Sequence, residues 1–94
     1  MFQIHWTPIA IETYEHILDF ILENWSMEVV LKLEEKVQAL EVRLKKNEYL
    51  CPASLSQPRL RECVVTAHTS MLYRVVGNKI EVLAFFDNRS DYSF

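Results

Sequence analysis

Apolar and polar positions follow two different periods along the chain, and each period predicts an element of secondary structure. Residues 2–6 alternate one by one, which is typical of a half-buried strand. Residues 8–24 and 27–46 repeat their apolar positions every three or four residues, which predicts two amphipathic helices. Residues 60–66 and 70–86 are rich in β-branched and aromatic side chains, which predicts strands.

Both predicted helices have start signals. Thr7 stands where an N-cap residue is expected, and Pro8 follows at the first helical position, where a missing N–H costs nothing. Ser26 is the N-cap expected for the second helix, whose last turn is basic and therefore suits the helix dipole. Because the connection between the helices is so short, we expect them to be antiparallel neighbours.

The second helix carries one regular apolar seam. Its members are spaced three and four residues apart: Val30, Leu33, Val37, Leu40 and Leu44. Packing of this seam against the sheet of the same domain is favoured over a dimerising coiled coil, because stable coiled coils need longer heptad runs. The sequence leaves open whether the chain forms a homodimer.

The stretch from Ser70 to Arg89 predicts a β-hairpin. Gly77 is the only glycine of the chain and is followed by Asn78, so a two-residue turn with positive φ fits there. Residues 83–86 and 71–72 are apolar at consecutive positions. In a strand with one solvent-exposed face, apolar and polar residues alternate instead. Either the chain itself covers both faces of the hairpin, or one face binds a partner.

The predicted order of elements is β-α-α-β-β-β in one domain of residues 1–94. The fold class is α+β, with an antiparallel helical hairpin packed on a mainly antiparallel sheet. Half of the residues are hydrophobic, which is enough for a packed core. No apolar run is long enough to cross a bilayer, and no secretory leader is recognisable. We therefore expect a cytoplasmic protein without a membrane segment.

Charge and cysteine usage narrow the possible functions. The net charge of −3 argues against a protein that coats nucleic acid. Residues 1–46 hold eight acidic and five basic side chains, and residues 47–94 hold five of each, which leaves room for a local basic site in the second half. Cys51 and Cys63 lack a metal-ligand spacing, and we interpret them as two reduced thiols.

One set of residues has the chemistry of a phosphate site. Arginines on or beside the predicted sheet can bind a phosphodiester, and a neighbouring histidine or tyrosine can transfer a proton. The set comprises Arg59, Arg61, His68, Arg74, Arg89 and Tyr92. The alternative is that these are ordinary solvated side chains, with His68 a plain turn residue. The sequence contains no glycine-rich phosphate loop and no metal or cofactor motif.

The order and spacing of several segments resemble the RelE/ParE toxin superfamily of bacterial type II toxin–antitoxin systems over nearly the whole chain. The segments are Trp6-Thr7-Pro8, Ile17–Ile21 leading to Asn24-Trp25, the second helix, Leu72–Val75, Ile80–Leu83 and Phe86–Asp91. The resemblance implies a helical hairpin on a twisted sheet and a cognate antitoxin that wraps the toxin. RelE-like members cut mRNA in the ribosomal A site, and ParE-like members inhibit DNA gyrase.

The resemblance also suggests roles for individual residues. In a RelE-like ribonuclease, Arg61 and Arg89 would bind phosphate and His68 or Tyr92 would transfer a proton. The arginine expected shortly before Tyr73 is missing, and Cys63 stands where a ribonuclease tends to have a basic residue. The long helical hairpin and the polar ending are more ParE-like, so we expect a gyrase inhibitor. Among the hairpin side chains we expect four to bind the antitoxin: Leu83, Phe85, Met71 and Arg74.

Overall fold

The computed structural model describes residues 1–88, and its helices and strands follow the predicted order. The elements are β1 (Gln3–Trp6), α1 (Pro8–Asn24), α2 (Met27–Lys46), β2 (Arg61–Val64), β3 (Thr69–Val76) and β4 (Lys79–Asp87). Strand β2 ends earlier than predicted because the N–H groups of Val65 and Thr66 both donate to the Thr69 carbonyl and form the turn. The predicted α+β fold class is confirmed.

The helix starts are those that the sequence predicts. Thr7 Oγ1 accepts a hydrogen bond from Ala10 N at 3.1 Å, and Pro8 is the first residue of α1. Ser26 Oγ accepts from Val29 N at 3.4 Å at the start of α2. Such caps satisfy backbone N–H groups that have no partner inside the helix.

The two helices cover one face of a four-stranded sheet. The strand order is β1-β4-β3-β2, with β1 parallel to β4 and the other two pairs antiparallel. The predicted tight turn joins β3 to β4, and Gly77 adopts a φ of 60° there. The buried core comes from the helix seams, the inner sheet face and Cys51 of the loop between α2 and β2: Ala10, Tyr14, Ile17, Ile21, Val30, Leu33, Val37, Leu44, Cys51, Cys63, Met71, Tyr73, Ile80, Val82 and Phe85. In the α2 seam only Leu40 is partly exposed.

A β-bulge in β4 decides which of its side chains face the helices. Tyr73 pairs with Val82 and Leu72 pairs with Ala84, so Leu83 is an extra residue. The extra residue shifts the alternation by one position, and Phe85 joins Val82 in the core. The bulge accounts for part of the apolar excess of this strand, because the core positions Val82 and Phe85 are three positions apart in the sequence instead of two.

Two threonines of the α1 segment bind the backbone of the bulge. Thr7 Oγ1 donates to the Leu83 carbonyl at 3.0 Å. Phe85 N donates to Thr13 Oγ1 at 2.9 Å, and Thr13 Oγ1 in turn donates to the Ile9 carbonyl at 2.7 Å. These bonds connect α1 to β4. They give threonine partners to main-chain groups that would pair with a neighbouring strand in a regular ladder.

Three aromatic rings form the centre of the contact between β1, α1 and β4. The Trp6 ring centroid lies 5.2 Å from that of Tyr14 and 4.9 Å from that of Phe85. Trp6 Nε1 also donates to Glu41 Oε2 at 2.8 Å, which ties α2 to the same cluster. Burial, followed by the charges of Glu34 and Glu41, raises the pKa of Tyr14 to about 12.

The prediction of two reduced thiols is wrong, because Cys51 and Cys63 form a disulfide. The loop of residues 47–60 turns back along β2, and Ala53 forms an isolated bridge with Arg61. This return places Cys51 5.3 Å from Cys63, Cα to Cα. The proximity depends on the path of a loop, which sequence patterns do not specify.

Replacing Thr13 by valine is expected to destabilise the fold by about 1–3 kcal/mol, because Phe85 N would lose its acceptor next to the core. Thr13→Ser keeps the oxygen and serves as the control, with a much smaller loss. Urea unfolding monitored by circular dichroism measures both values. A loss in Thr13→Val no larger than that in Thr13→Ser would contradict the expected contribution of the hydrogen bond to Phe85 N.

Stability is expected to fall between pH 10 and pH 12 in a way that depends on Tyr14. In this window the unfolded chain loses the phenolic proton while the folded chain retains it, so unfolding becomes easier as the pH rises. We expect Tyr14→Phe to gain roughly 1 kcal/mol relative to the parent chain between pH 9 and pH 11. Urea unfolding at the two pH values tests this expectation, and parallel losses in both chains would contradict it.

Candidate functional site

Arg61, the first phosphate-binding candidate, is engaged by the chain itself. Its Nη1 donates to the Cys51 carbonyl at 2.7 Å, and its guanidinium carbon lies 4.7 Å from the centroid of the Tyr49 ring. The side chain is half-buried and faces the helix-covered side of the sheet, because Arg61 pairs with the buried Tyr73. In this arrangement Arg61 holds the 47–60 loop against β2.

Tyr73, which the sequence did not predict as a site residue, makes two buried or half-buried hydrogen bonds to the 47–60 loop. Its hydroxyl donates to the Glu48 carbonyl at 2.8 Å and accepts from Cys51 N at 3.4 Å. Burial raises the pKa of Tyr73, while the Cys51 N–H and the Arg61 charge act in the opposite direction. The neutral phenol therefore connects the 47–60 loop to β3.

Arg74 lies on the other face of the sheet. Its Nε donates to Glu81 Oε1 at 2.7 Å across the β3–β4 pair, and both side chains are at least partly exposed. An ion pair so open to solvent adds little stability, but it occupies the guanidinium. Arg61 and Arg74 therefore do not act on a common ligand.

Of the remaining catalytic candidates, only His68 lies among the described residues, and it is not next to Arg61. His68 is an exposed residue of the turn between β2 and β3, whereas Arg61 begins β2 at its opposite end. Arg89 and Tyr92 lie outside the described residues. Within residues 1–88 no three histidine, cysteine or acidic side chains are close enough to hold a metal ion.

Two of the four side chains expected to bind an antitoxin belong to the core. Phe85 is 3% exposed and Met71 is completely buried. Leu83 is half-buried at the bulge, and Arg74 is exposed on the outer face. These four side chains form no continuous surface, and a charge introduced at Phe85 is expected to unfold the domain rather than report on binding.

An apolar groove of about 320 Å³ lies between the helices and the end of the sheet. We call it the helix-end groove, and its lining residues are Ile17, Ile21, Trp25, Val29, Lys32, Leu33, Lys36, Thr66, His68, Thr69 and Asp87. Trp25 is 61% exposed at the end of α1. Lys32 and Lys36 stand one turn apart on α2, and both are exposed.

The helix-end groove has the composition of a protein-binding site. Its apolar walls are rimmed by charged side chains, which is typical of surfaces that bind peptide segments. The groove forms between segments that are distant in the chain, so local sequence patterns do not predict it. The only trace of it in the sequence is a tryptophan, Trp25, at the end of the first predicted helix, followed by two lysines four residues apart, Lys32 and Lys36.

No helix within residues 1–88 is long and apolar enough to cross a membrane. A comparison with curated proteins gives no match.

Solved structures share this fold at low sequence identity. The chromosomal ParDE system from P. aeruginosa superimposes with a TM-score of 0.73 at 20% identity, over 93% of this chain and 96% of that one. The YoeB-YefM complex from Staphylococcus aureus superimposes with a TM-score of 0.64 at 16% identity, over 92% of this chain and 95% of that one. YafQ from E. coli superimposes with a TM-score of 0.62 at 10% identity, over 98% of this chain and 99% of that one. The chain therefore shares its fold with the ParDE, YoeB-YefM and YafQ structures.

The family follows from the sequence itself. Residues 4–92 match the model of the ParE toxin of the type II toxin–antitoxin system, parDE. The chain therefore belongs to the ParE toxin family, and it is the toxin component of a type II toxin–antitoxin system.

Proposed function

We propose that this toxin inhibits growth by binding DNA gyrase and that it performs no catalysis of its own. The observation that carries the proposal is the match of residues 4–92 to the ParE family. The geometry of the described residues supports it, because Arg61 is bound to the Cys51 carbonyl and Arg74 to Glu81. A phosphodiester would have to displace these acceptors before it could bind both guanidinium groups fully. We also place the protein in the cytoplasm, where gyrase acts.

A second candidate is a RelE-like, ribosome-dependent endoribonuclease. The observation in its favour is the fold shared with YoeB and YafQ. Arg61, Arg89, His68 and Tyr92 would then carry the reaction, and Arg61 would have to leave the Cys51 carbonyl. A third candidate is a toxin that binds its antitoxin but has lost activity.

The antitoxin is proposed to bind the helix-end groove. The YoeB-YefM structure is a complex of that toxin with its partner, which supports a protein partner for this chain. Lys32 and Lys36 would attract acidic side chains, while Trp25 and Val29 would contact apolar ones. The expected ligand is therefore an amphipathic segment with acidic and apolar residues on one side.

Expression without antitoxin is expected to arrest growth, and co-expression of the antitoxin should restore it. Purified toxin is expected to inhibit supercoiling by gyrase and to leave mRNA intact in a ribosome translation assay. Codon-specific mRNA cleavage that is lost in Arg61→Ala or Arg89→Ala would refute the gyrase proposal in favour of the second candidate. Normal growth, together with retained antitoxin binding, would identify the third.

Reversing the charge of Lys36 is expected to weaken antitoxin binding roughly tenfold at low salt, because an acidic contact at the rim would become repulsive. Lys45→Glu introduces the same charge change on α2 at a position that does not line the groove, and it should bind normally. Titration calorimetry with the cognate antitoxin measures both affinities. Equal weakening in the two variants would exclude the groove as the site.

A further inference from the structure

One side of the helical hairpin has no role in the function proposed above. On α1 it lies opposite Thr13, the residue that binds β4, because successive helix positions rotate by about 100°. On α2 it includes Leu31 and Val42, which are about three turns apart and therefore share one side of the helix. We call it the interhelix surface, and its apolar side chains are Ile11, Leu18, Leu22, Met27, Leu31 and Val42.

The interhelix surface follows the line where α1 and α2 meet. The Trp6 ring centroid lies 5.2 Å from that of Tyr14, and Trp6 Nε1 donates to Glu41 Oε2, so Tyr14 of α1 and Glu41 of α2 contact the same indole. Leu18 comes one turn after Tyr14, and Val42 comes directly after Glu41. The surface therefore combines side chains of both helices.

The apolar side chains of this surface are open to solvent. Only Leu18 is half-buried, and the exposed fractions of the other five lie between 48% and 55%. Single exposed apolar side chains are common on proteins and need no explanation. Several of them on one surface with a charged rim are typical of an interaction site.

Carboxylates accompany the apolar side chains on both helices. Glu15 comes one turn after Ile11, and Glu35 comes one turn after Leu31. Because residues four apart are neighbours on a helix surface, each acid lies in the same row as its apolar neighbour. The two helices thus present the same alternation of apolar and acidic groups to a ligand.

Few basic side chains of the two helices balance these acids. Helix α1 contains four acidic residues and neither lysine nor arginine. On α2, Lys32 forms an ion pair with Glu28 at 3.5 Å, and Lys46 lies one turn beyond Val42, past the end of the apolar row. A ligand that matches the interhelix surface must therefore be both apolar and basic.

We propose that the interhelix surface binds a basic amphipathic helix of another protein. Such a helix lays its apolar positions between the two antiparallel helices, and its lysines or arginines pair with Glu15 and Glu35. A second copy of this chain would bring the same carboxylates against each other, and nucleic acid or anionic lipid would be repelled. The proposal does not depend on which target the toxin has or on where the antitoxin binds.

Fluorescence anisotropy with a labelled synthetic peptide tests the surface. The probe is a leucine–lysine peptide of about 18 residues whose leucines recur at helical spacing, so that it matches the length of α1. We expect it to bind the purified toxin with a Kd of roughly 10 μM at low salt. A peptide of the same composition in shuffled order, and one with glutamate in place of lysine, should bind at least about tenfold more weakly.

Variants of the toxin locate the bound peptide. Leu31→Gln is expected to weaken binding roughly tenfold, because glutamine keeps the helix but removes an apolar contact. Val64→Gln makes a similar change at an exposed apolar position of β2 and should leave binding unchanged. The double variant Glu15→Gln with Glu35→Gln should also weaken binding, with a smaller effect at high salt.

Three results would overturn the proposal. No binding of the ordered peptide, or equal binding of the ordered and shuffled peptides, would mean that the surface docks no basic helix. Equal effects of Leu31→Gln and Val64→Gln would place the peptide elsewhere on the toxin. A toxin dimer in analytical ultracentrifugation that Leu31→Gln dissociates would assign the surface to a second copy.

Discussion

The contact between the bulge of β4 and two threonines is the interaction on which the packing of α1 against the sheet depends. Leu83 has no partner on β3, so the alternation of β4 restarts and Phe85 enters the core. Thr7 and Thr13 bind the main chain on either side of this shift. Because Thr7 also caps α1, the start of the helix and the register of the strand are fixed by the same side chain, and neither can move without the other.

The pleat of the sheet determines what the arginines can do. Arg61 pairs with Tyr73, so it shares the inner face with that residue, and Arg74, the next residue of β3, must lie on the outer face. A phosphate site that uses both guanidinium groups is therefore incompatible with this register. Each arginine has instead an acceptor nearby on its own face, the Cys51 carbonyl for one and Glu81 for the other.

Local patterns in the sequence predicted the helices, the strands and the turn. Contacts between distant segments, by contrast, determine the geometry of the candidate site. The caps at Thr7 and Ser26 and the turn at Gly77 depend on neighbouring residues, so they could be recognised from spacing alone. The bulge, the disulfide and the helix-end groove depend on how distant segments meet. Phe85 illustrates the difference. It is buried because the extra residue Leu83 shifts the alternation of β4, and its own position in an apolar run does not predict this.

The distribution of cations favours binding over catalysis. Moving Arg61 to a phosphodiester would leave the Cys51 carbonyl without its guanidinium donor and would uncover the Tyr49 ring, so substrate binding would have to compensate for the loosened 47–60 loop. Lys32 and Lys36 need no such rearrangement of a half-buried contact, because both are exposed beside apolar walls and Lys32 has only a solvent-exposed ion pair with Glu28 at 3.5 Å. A surface that needs no rearrangement loses less free energy to ordering on association, which supports the antitoxin site proposed at the helix-end groove.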